Sequence, residues 1–203
     1  MAKPRTAGEP RADEARMAVT LERLVALDTE NPPGRELEAA RFLAAELESL
    51  GLSVDSKEFS PGRANVWGRL ENGPGPVFCF NSHIDVVPAG EGWSRAPFKL
   101  VEQDGRLYGR GACDAKGPIV AMLEAARLLA AAADSWRGTL LLVFVADEEV
   151  ASLGAKDYVK DKPGIDFAVI GEPTSNAPVI AHKGSLRPIV RVAGRTAHSG
   201  TPE

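Results

Sequence analysis

Apolar residues along the chain fall at two kinds of spacing, and together they predict alternating helices and strands. From Glu14 to Leu27, Val19, Leu21, Leu24, Val25 and Leu27 recur near a helical period, and Asn31-Pro32-Pro33-Gly34 ends the element. A second helix is predicted from Glu36 to Leu50, with Leu37, Phe42, Leu43, Leu47 and Leu50 as its core stripe and Gly51 closing it. Strands follow at Leu52 to Phe59 and Asn65 to Leu70, then a Gly- and Pro-rich turn from Glu71 to Pro76 leads into the apolar run Val77 to Phe80. Arg106 to Tyr108 reads as a short strand, and Pro118 opens an Ala/Leu-rich helix reaching Ala133. The unbroken apolar run Thr139 to Ala146 predicts a strand buried on both faces, as in a parallel sheet covered by helices. A short helix from Gly154 to Lys160 and a strand from Phe167 to Ile170 complete a βα alternation, so the expected class is α/β.

Composition narrows the options. The 203 residues are 44% apolar and 26% charged, ordinary for a globular chain, and a net charge of -4 offers no basic stripe for nucleic acid. Residues 1–13 read as a solvated tail without the apolar core of a secretory signal, and the apolar run beside the motifs is far short of the ~20 residues that span a bilayer. Cys79 and Cys113 are not spaced as a disulfide framework, which points to a reducing, cytoplasmic setting. Cys113 is expected to be a buried small hydrophobe rather than a soft metal ligand, and Trp93, Pro97 and Phe98 to pack rather than line a pocket.

The chemistry lies just past the apolar runs, where His83 with Asp85, then Asp114, then Glu148 with Glu149, and finally Glu172 follow successive predicted strands. In open α/β sheets the ligand crevice lies outside the carboxyl ends of the strands, so distant residues can meet there. Carboxylates ~4 Å apart repel by ~4 kcal/mol at an effective dielectric of 20, and four cannot share a pocket without cations. Two divalent ions would balance them, and neutral imidazole suits zinc. In an extended His-x-Asp segment both side chains point the same way, so Asp85 is expected to accept the ring N–H that His83 does not use for metal. Adjacent Glu148 and Glu149 diverge, allowing one to ligate and the other to act as a base. Singly, each has a plainer reading: a satisfied histidine, a solvated acidic loop, or Asp114 capping the next helix. Their joint placement after successive strands favours the metal site.

These residues also carry a resemblance. Ser82-His83-Ile84-Asp85-Val86-Val87-Pro88, the run Gly109 to Gly117, Asp147-Glu148-Glu149, Gly171-Glu172-Pro173-Thr174 and Ala197-His198-Ser199 resemble the acetylornithine deacetylase, succinyl-diaminopimelate desuccinylase, aminoacylase and carboxypeptidase family of di-zinc hydrolases, in the same order. The resemblance implies a three-layer α/β/α zinc-peptidase-like domain with a mixed, largely parallel sheet over residues 14–182, and the start of a smaller α+β lid or dimerisation domain over residues 183–203. It implies that Asp114 bridges two zinc ions, with cobalt or manganese as possible substitutes. His83 and Glu172 would complete one site, Glu149 would belong to the other, and Glu148 would be the general base. It further implies a cis Asp114-Ala115 peptide and a His198 that reaches a partner subunit's site in a homodimer. The implied reaction is hydrolysis of a linear amide bond in an N-acyl amino acid or small peptide by a metal-activated water.

The sequence departs from that pattern in one respect. The family's remaining ligand histidine comes from a later segment, so the chain is expected to be a fragment of a longer protein whose Glu149 site is one ligand short. Thr201-Pro202-Glu203 reads as a helix start, the lid is reduced to a strand from about Ser185 to Ala193, and His182 reads as a hinge residue rather than a replacement ligand. Two classes of function therefore stand open: an amide-hydrolysing metalloenzyme, and a non-catalytic metal-binding or interaction module.

Overall fold

The computed structural model describes residues 11–161, 164–184, 188–194, 197–198 and 200. The chain divides into two compact units, Met1–Pro173 and Thr174–Glu203. In the first, helices α1 (Glu14–Ala26) and α2 (Leu37–Ser49) precede strands β1 (Ser53–Ser60), β2 (Arg63–Asn72) and β3 (Val77–His83). A short hairpin of β4 (Val101–Gln103) and β5 (Arg106–Tyr108) leads to helix α3 (Lys116–Ala131), strand β6 (Gly138–Val145), helix α4 (Leu153–Tyr158) and strand β7 (Phe167–Ile170).

Five strands form one sheet in the order β1-β2-β6-β3-β7. The pairs β1/β2 and β2/β6 are antiparallel, whereas β3/β6 and β3/β7 are parallel. The sheet is thus mixed, with the parallel half carrying β3, β6 and β7. Hairpins at β1/β2 and β4/β5 interrupt the expected βα alternation, because their connections are too short to hold a crossover helix.

β6 shows why three layers form. Side chains alternate across a strand, and Leu140, Leu142 and Phe144 enter a core with Leu21, Leu24, Leu43, Leu47 and Ile119 from α1, α2 and α3. Leu141, Val143 and Val145 point the other way, to Cys79 and to Ala155 and Tyr158 of α4. Burying each such side chain stabilises the fold by roughly 1.5–3 kcal/mol, which is why a continuous apolar run was needed there.

Helix α1 is fastened at both ends to α3. Asp13 caps it by accepting from Arg16 N at 3.0 Å, and Glu124 accepts from Arg16 Nη2 at 2.7 Å. At the other end the fully buried Lys116 donates through Nζ to the carbonyls of Leu24 and Leu27, both at 2.9 Å. Burial pushes the Lys116 amine down to about 8, partly offset by the charge of Asp28.

The lid strand expected from Ser185 to Ala193 falls partly outside the described residues. Residues 188–194 form no strand; Ile189, Val190 and Val192 are open to solvent, and Pro188 lacks a ladder donor.

Candidate metal centre

Register places the site. In β3 His83 lies opposite Val145 of β6, and Asn81 lies opposite Ile170 of β7, so the ends of three parallel strands meet. The apolar reading stopped β3 at Phe80, but the strand continues through polar Asn81 and Ser82. Asn81 Nδ2 donates to Val143 O at 2.8 Å and Ser82 Oγ to Gly171 O at 2.9 Å, which satisfies both inside the sheet. His83 is the strand's last residue and is buried.

One ligand atom each from His83, Asp114 and Glu149 lies within 4.8 Å of the others. His83 Nε2 is 3.0 Å from Asp114 Oδ1 and 3.8 Å from Glu172 Oε1, the latter an ion-pair distance rather than a hydrogen bond. Asp114 is not spent on capping: the cap position of α3 is Ala115, with no side-chain cap bond. The Asp114-Ala115 peptide is cis. A neutral imidazole and carboxylates on the ends of different elements are a donor set that fits a divalent ion such as zinc.

Burial opposes a charge on His83, yet the carboxylates of Asp114, Glu172 and Asp85 outweigh it and lift the imidazole to about 11. Hydrogen bonding to His83 in turn holds Asp114 below its ordinary value. Glu148 and Glu149 are both raised, first by burial and then by neighbouring carboxylates, against the lowering influence of His83. A carboxyl raised toward neutrality is what a proton-transferring group needs.

Asp85 behaves otherwise than the sequence suggests. His83 Nδ1 hydrogen-bonds the backbone carbonyl of Asp85 at 2.9 Å, while the Asp85 carboxylate stays 3.7 Å away. That carboxylate instead accepts from the backbone N–H of Glu148 at 3.0 Å and of Glu149 at 3.1 Å. It therefore orients the acidic dipeptide, and the ring of His83 is fixed by main chain.

Behind it lies a buried polar chain that sequence reasoning missed. Asn31 Nδ2 donates to Asp85 Oδ2 at 2.8 Å and to Asp147 Oδ1 at 3.0 Å. Arg63 pairs with Asp147 at 2.8 Å and, through two N–H groups, with Glu36 at 2.6 and 3.1 Å. The N–H of Asn31 also bonds Val86 O, and Thr29 O accepts from Val86 N, so the 29–31 segment runs beside the His83–Val86 exit. By sequence Asn31-Pro32-Pro33-Gly34 reads only as a helix terminator; an amide ahead of two prolines, where no helix can use it, is the available signal.

The loop bearing Glu148 and Glu149 is closed tightly. Asp147 takes a left-handed φ of 68°, and its carboxylate accepts from Leu153 N at 3.1 Å. Asn65 clamps the two ends, accepting from Ala146 N and donating to Gly154 O. A Cβ at Gly154 would run into Ala146 O, so only glycine fits there.

Cys113 is exposed, not buried as expected, because the Gly109–Asp114 loop lies outside the sheet; Cys79 is buried, and both are free. Trp93 lines a cleft of about 410 Å³ with Arg95 and Tyr108, and Arg110 stacks over its ring. His182 and His198 belong to the second unit and are exposed, with His182 Nδ1 at 2.9 Å from Lys183 O and His198 Nδ1 accepting from Gly200 N.

Residues 79–185 match peptidase family M20/M25/M40. The chain belongs to this family. A probable succinyl-diaminopimelate desuccinylase of Staphylococcus epidermidis is 35% identical over 186 residues, covering 88% of this chain and 44% of that protein. An acetylornithine deacetylase of Vibrio campbellii is 38% identical over 164 residues, covering 79% of this chain and 42% of that protein. Human carnosine dipeptidase 1 superposes with a TM-score of 0.68 at 28% identity, over 77% of this chain and 38% of that one. An M20 family metallo-carboxypeptidase from Sulfolobus solfataricus gives 0.67 at 26% identity, over 76% and 37%. This M20 chain thus spans less than half the length of these curated relatives. Among its described residues no helix is long and apolar enough to cross a membrane.

Proposed function

We propose that this chain carries most of the active site of a zinc-dependent amidohydrolase that cleaves a linear amide bond in an N-acyl amino acid or small peptide. The observation that carries the reading is the convergence of His83, Asp114 and Glu149 beside Glu148, whose carboxyl burial raises. His83, Asp114, Glu149 and Glu172 would hold the metal. A divalent ion held there supplies Lewis acidity, polarising a carbonyl and acidifying water toward neutral pH. Glu148 takes a proton from the attacking water on its carboxylate and delivers it to the leaving amine. Asp85 keeps Glu148 and Glu149 in place through their backbone N–H groups, and buried His83 presents Nε2 because its Nδ1 is held by a carbonyl.

In the same reading residues 14–182 form the catalytic domain and residues 183–203 begin a lid through which the whole enzyme dimerises. His198 would then serve the partner's site. Two free cysteines support a cytoplasmic setting.

A second reading, a metal-binding module without turnover, is favoured by one observation: among the described residues the three converging donors make a single ligand group, not two complete ones. Assay of the chain with zinc or cobalt against N-acetyl amino acids and dipeptides separates the two. Metal-dependent release of free amine supports the hydrolase, and tight metal uptake without release supports the module.

A further inference from the structure

Asn31 is 3% exposed, and its amide nitrogen is shared between two buried carboxylates drawn from different strand ends. Their situations differ. Asp147 is neutralised by Arg63, which also serves Glu36. Asp85 takes its donors from three N–H groups instead, one from Asn31 and two from the backbone of Glu148 and Glu149. The same oxygen, Oδ2, receives both Asn31 and Glu149, so rotation of the Asp85 carboxylate away from the loop would break its bond to Asn31.

We propose that Asn31 is a positioning residue for the Glu148-Glu149 pair, holding the Asp85 carboxylate in the one orientation that receives both backbone N–H groups. The proposal rests on the roles given above to Glu148 and Glu149. Asn31 acts on them through its bond to Asp85. Its second bond, to Asp147, ties the two ends of the loop's support to one side chain: Asp85 below Glu148 and Glu149, and Asp147 immediately before them. The amide suits this place because it offers two N–H donors to two acceptors and brings no charge. Aspartate of the same shape would set a third carboxylate between two others, and alanine would leave both facing each other without the donor they share.

The test compares Asn31→Ala with the parent chain, free of metal, by amide hydrogen exchange, with Leu142 and Phe144 of β6 as internal references. Exchange at Glu148 and Glu149 is expected to quicken about tenfold or more while the β6 amides hold their rates. Zinc affinity, read by chelator competition, is expected to fall about 10–100-fold. Unchanged exchange at the two glutamates overturns the proposal, as does an equal acceleration in β6, which would mark a role in stability alone. If the alanine variant does not fold, Asn31→Ser, which keeps one donor, is read in the same way; failure of both to fold also overturns it. A parent chain that takes up no zinc would sink the metal reading, and the exchange arm would still decide the role of Asn31.

Discussion

The imidazole of His83 faces the carboxylate of Asp114 at 3.0 Å. In the metal-free protein a proton fills that gap, since the surrounding carboxylates lift His83 to about 11. Zinc takes neutral imidazole, so its uptake at pH 7 should expel about one proton from His83. Calorimetric titration in buffers of unlike ionisation enthalpy counts that proton. A heat that does not change with buffer would contradict it.

The same pairing makes the metal-free chain sensitive to alkali. A histidine whose folded value lies near 11, against 6.5 when free, contributes stability that is complete below 6.5 and is lost as pH rises toward 11. Lys116 acts in the opposite direction: lowered from 10.5 to about 8, it favours the fold increasingly as pH rises between those values. Denaturation midpoints should therefore fall between pH 6.5 and 8, where His83 acts alone of the two, and level off above 8, where the opposing slope of Lys116 offsets it.

Glu148→Gln keeps shape and backbone but removes the proton acceptor. Turnover by a metal-loaded active enzyme should drop about 10²–10⁴-fold, with zinc affinity held within about threefold. Single-turnover rates alongside chelator competition read both quantities. A variant that loses metal and rate together would make Glu148 a metal ligand instead of the base.

One zinc per chain should bind much more tightly than a second, because the converging donors among the described residues form one group of three with Glu172 at its margin. Elemental analysis after exhaustive gel filtration gives the stoichiometry. Two firmly held ions would require a further donor.

Arg63→Met should cost about 3–5 kcal/mol, the usual penalty for stripping one partner from a buried ion pair. Here two carboxylates, Glu36 and Asp147, would be left buried, and Arg63 itself is only 13% exposed. Urea denaturation measures the loss. Gly34→Ala should destabilise as well, since a Cβ there would collide with the Arg63 guanidinium and the residue holds a φ of +85°.

The strands that carry the chemistry were readable because burial on two faces demands an unbroken apolar run, as in Thr139 to Ala146. Their acidic and imidazole ends followed at once. What escaped was polar structure in polar sequence. The end of β3 at Asn81-Ser82 looks like a loop until its side chains are seen bonding across the sheet. β4, three residues with no strong alternation, gives little to detect. Asn31 and Glu36 lie in segments that read as punctuation and helix start, Arg63 lies between two predicted strands, and only long-range packing reveals that they meet in the interior. Asp85 departs from its sequence reading for a related reason: an extended His-x-Asp segment turns its carboxylate toward His83, but the backbone N–H groups of the Glu148-Glu149 turn, distant in sequence, take that carboxylate instead.

The pairing of β3 with β6 and β7 works as a ruler. His83 is marked off against Val145, and Asn81 against Ile170, so the donors at the three strand ends are aligned by counting residues. Inserting one residue within Val77–His83 would slide His83 by ~3.3 Å and turn it to the opposite face, while the apolar interior could still close over the shifted strand. The buried apolar side chains of these strands can therefore be exchanged as long as volume is kept, yet a single insertion or deletion there would leave a folded protein with its ligands out of phase.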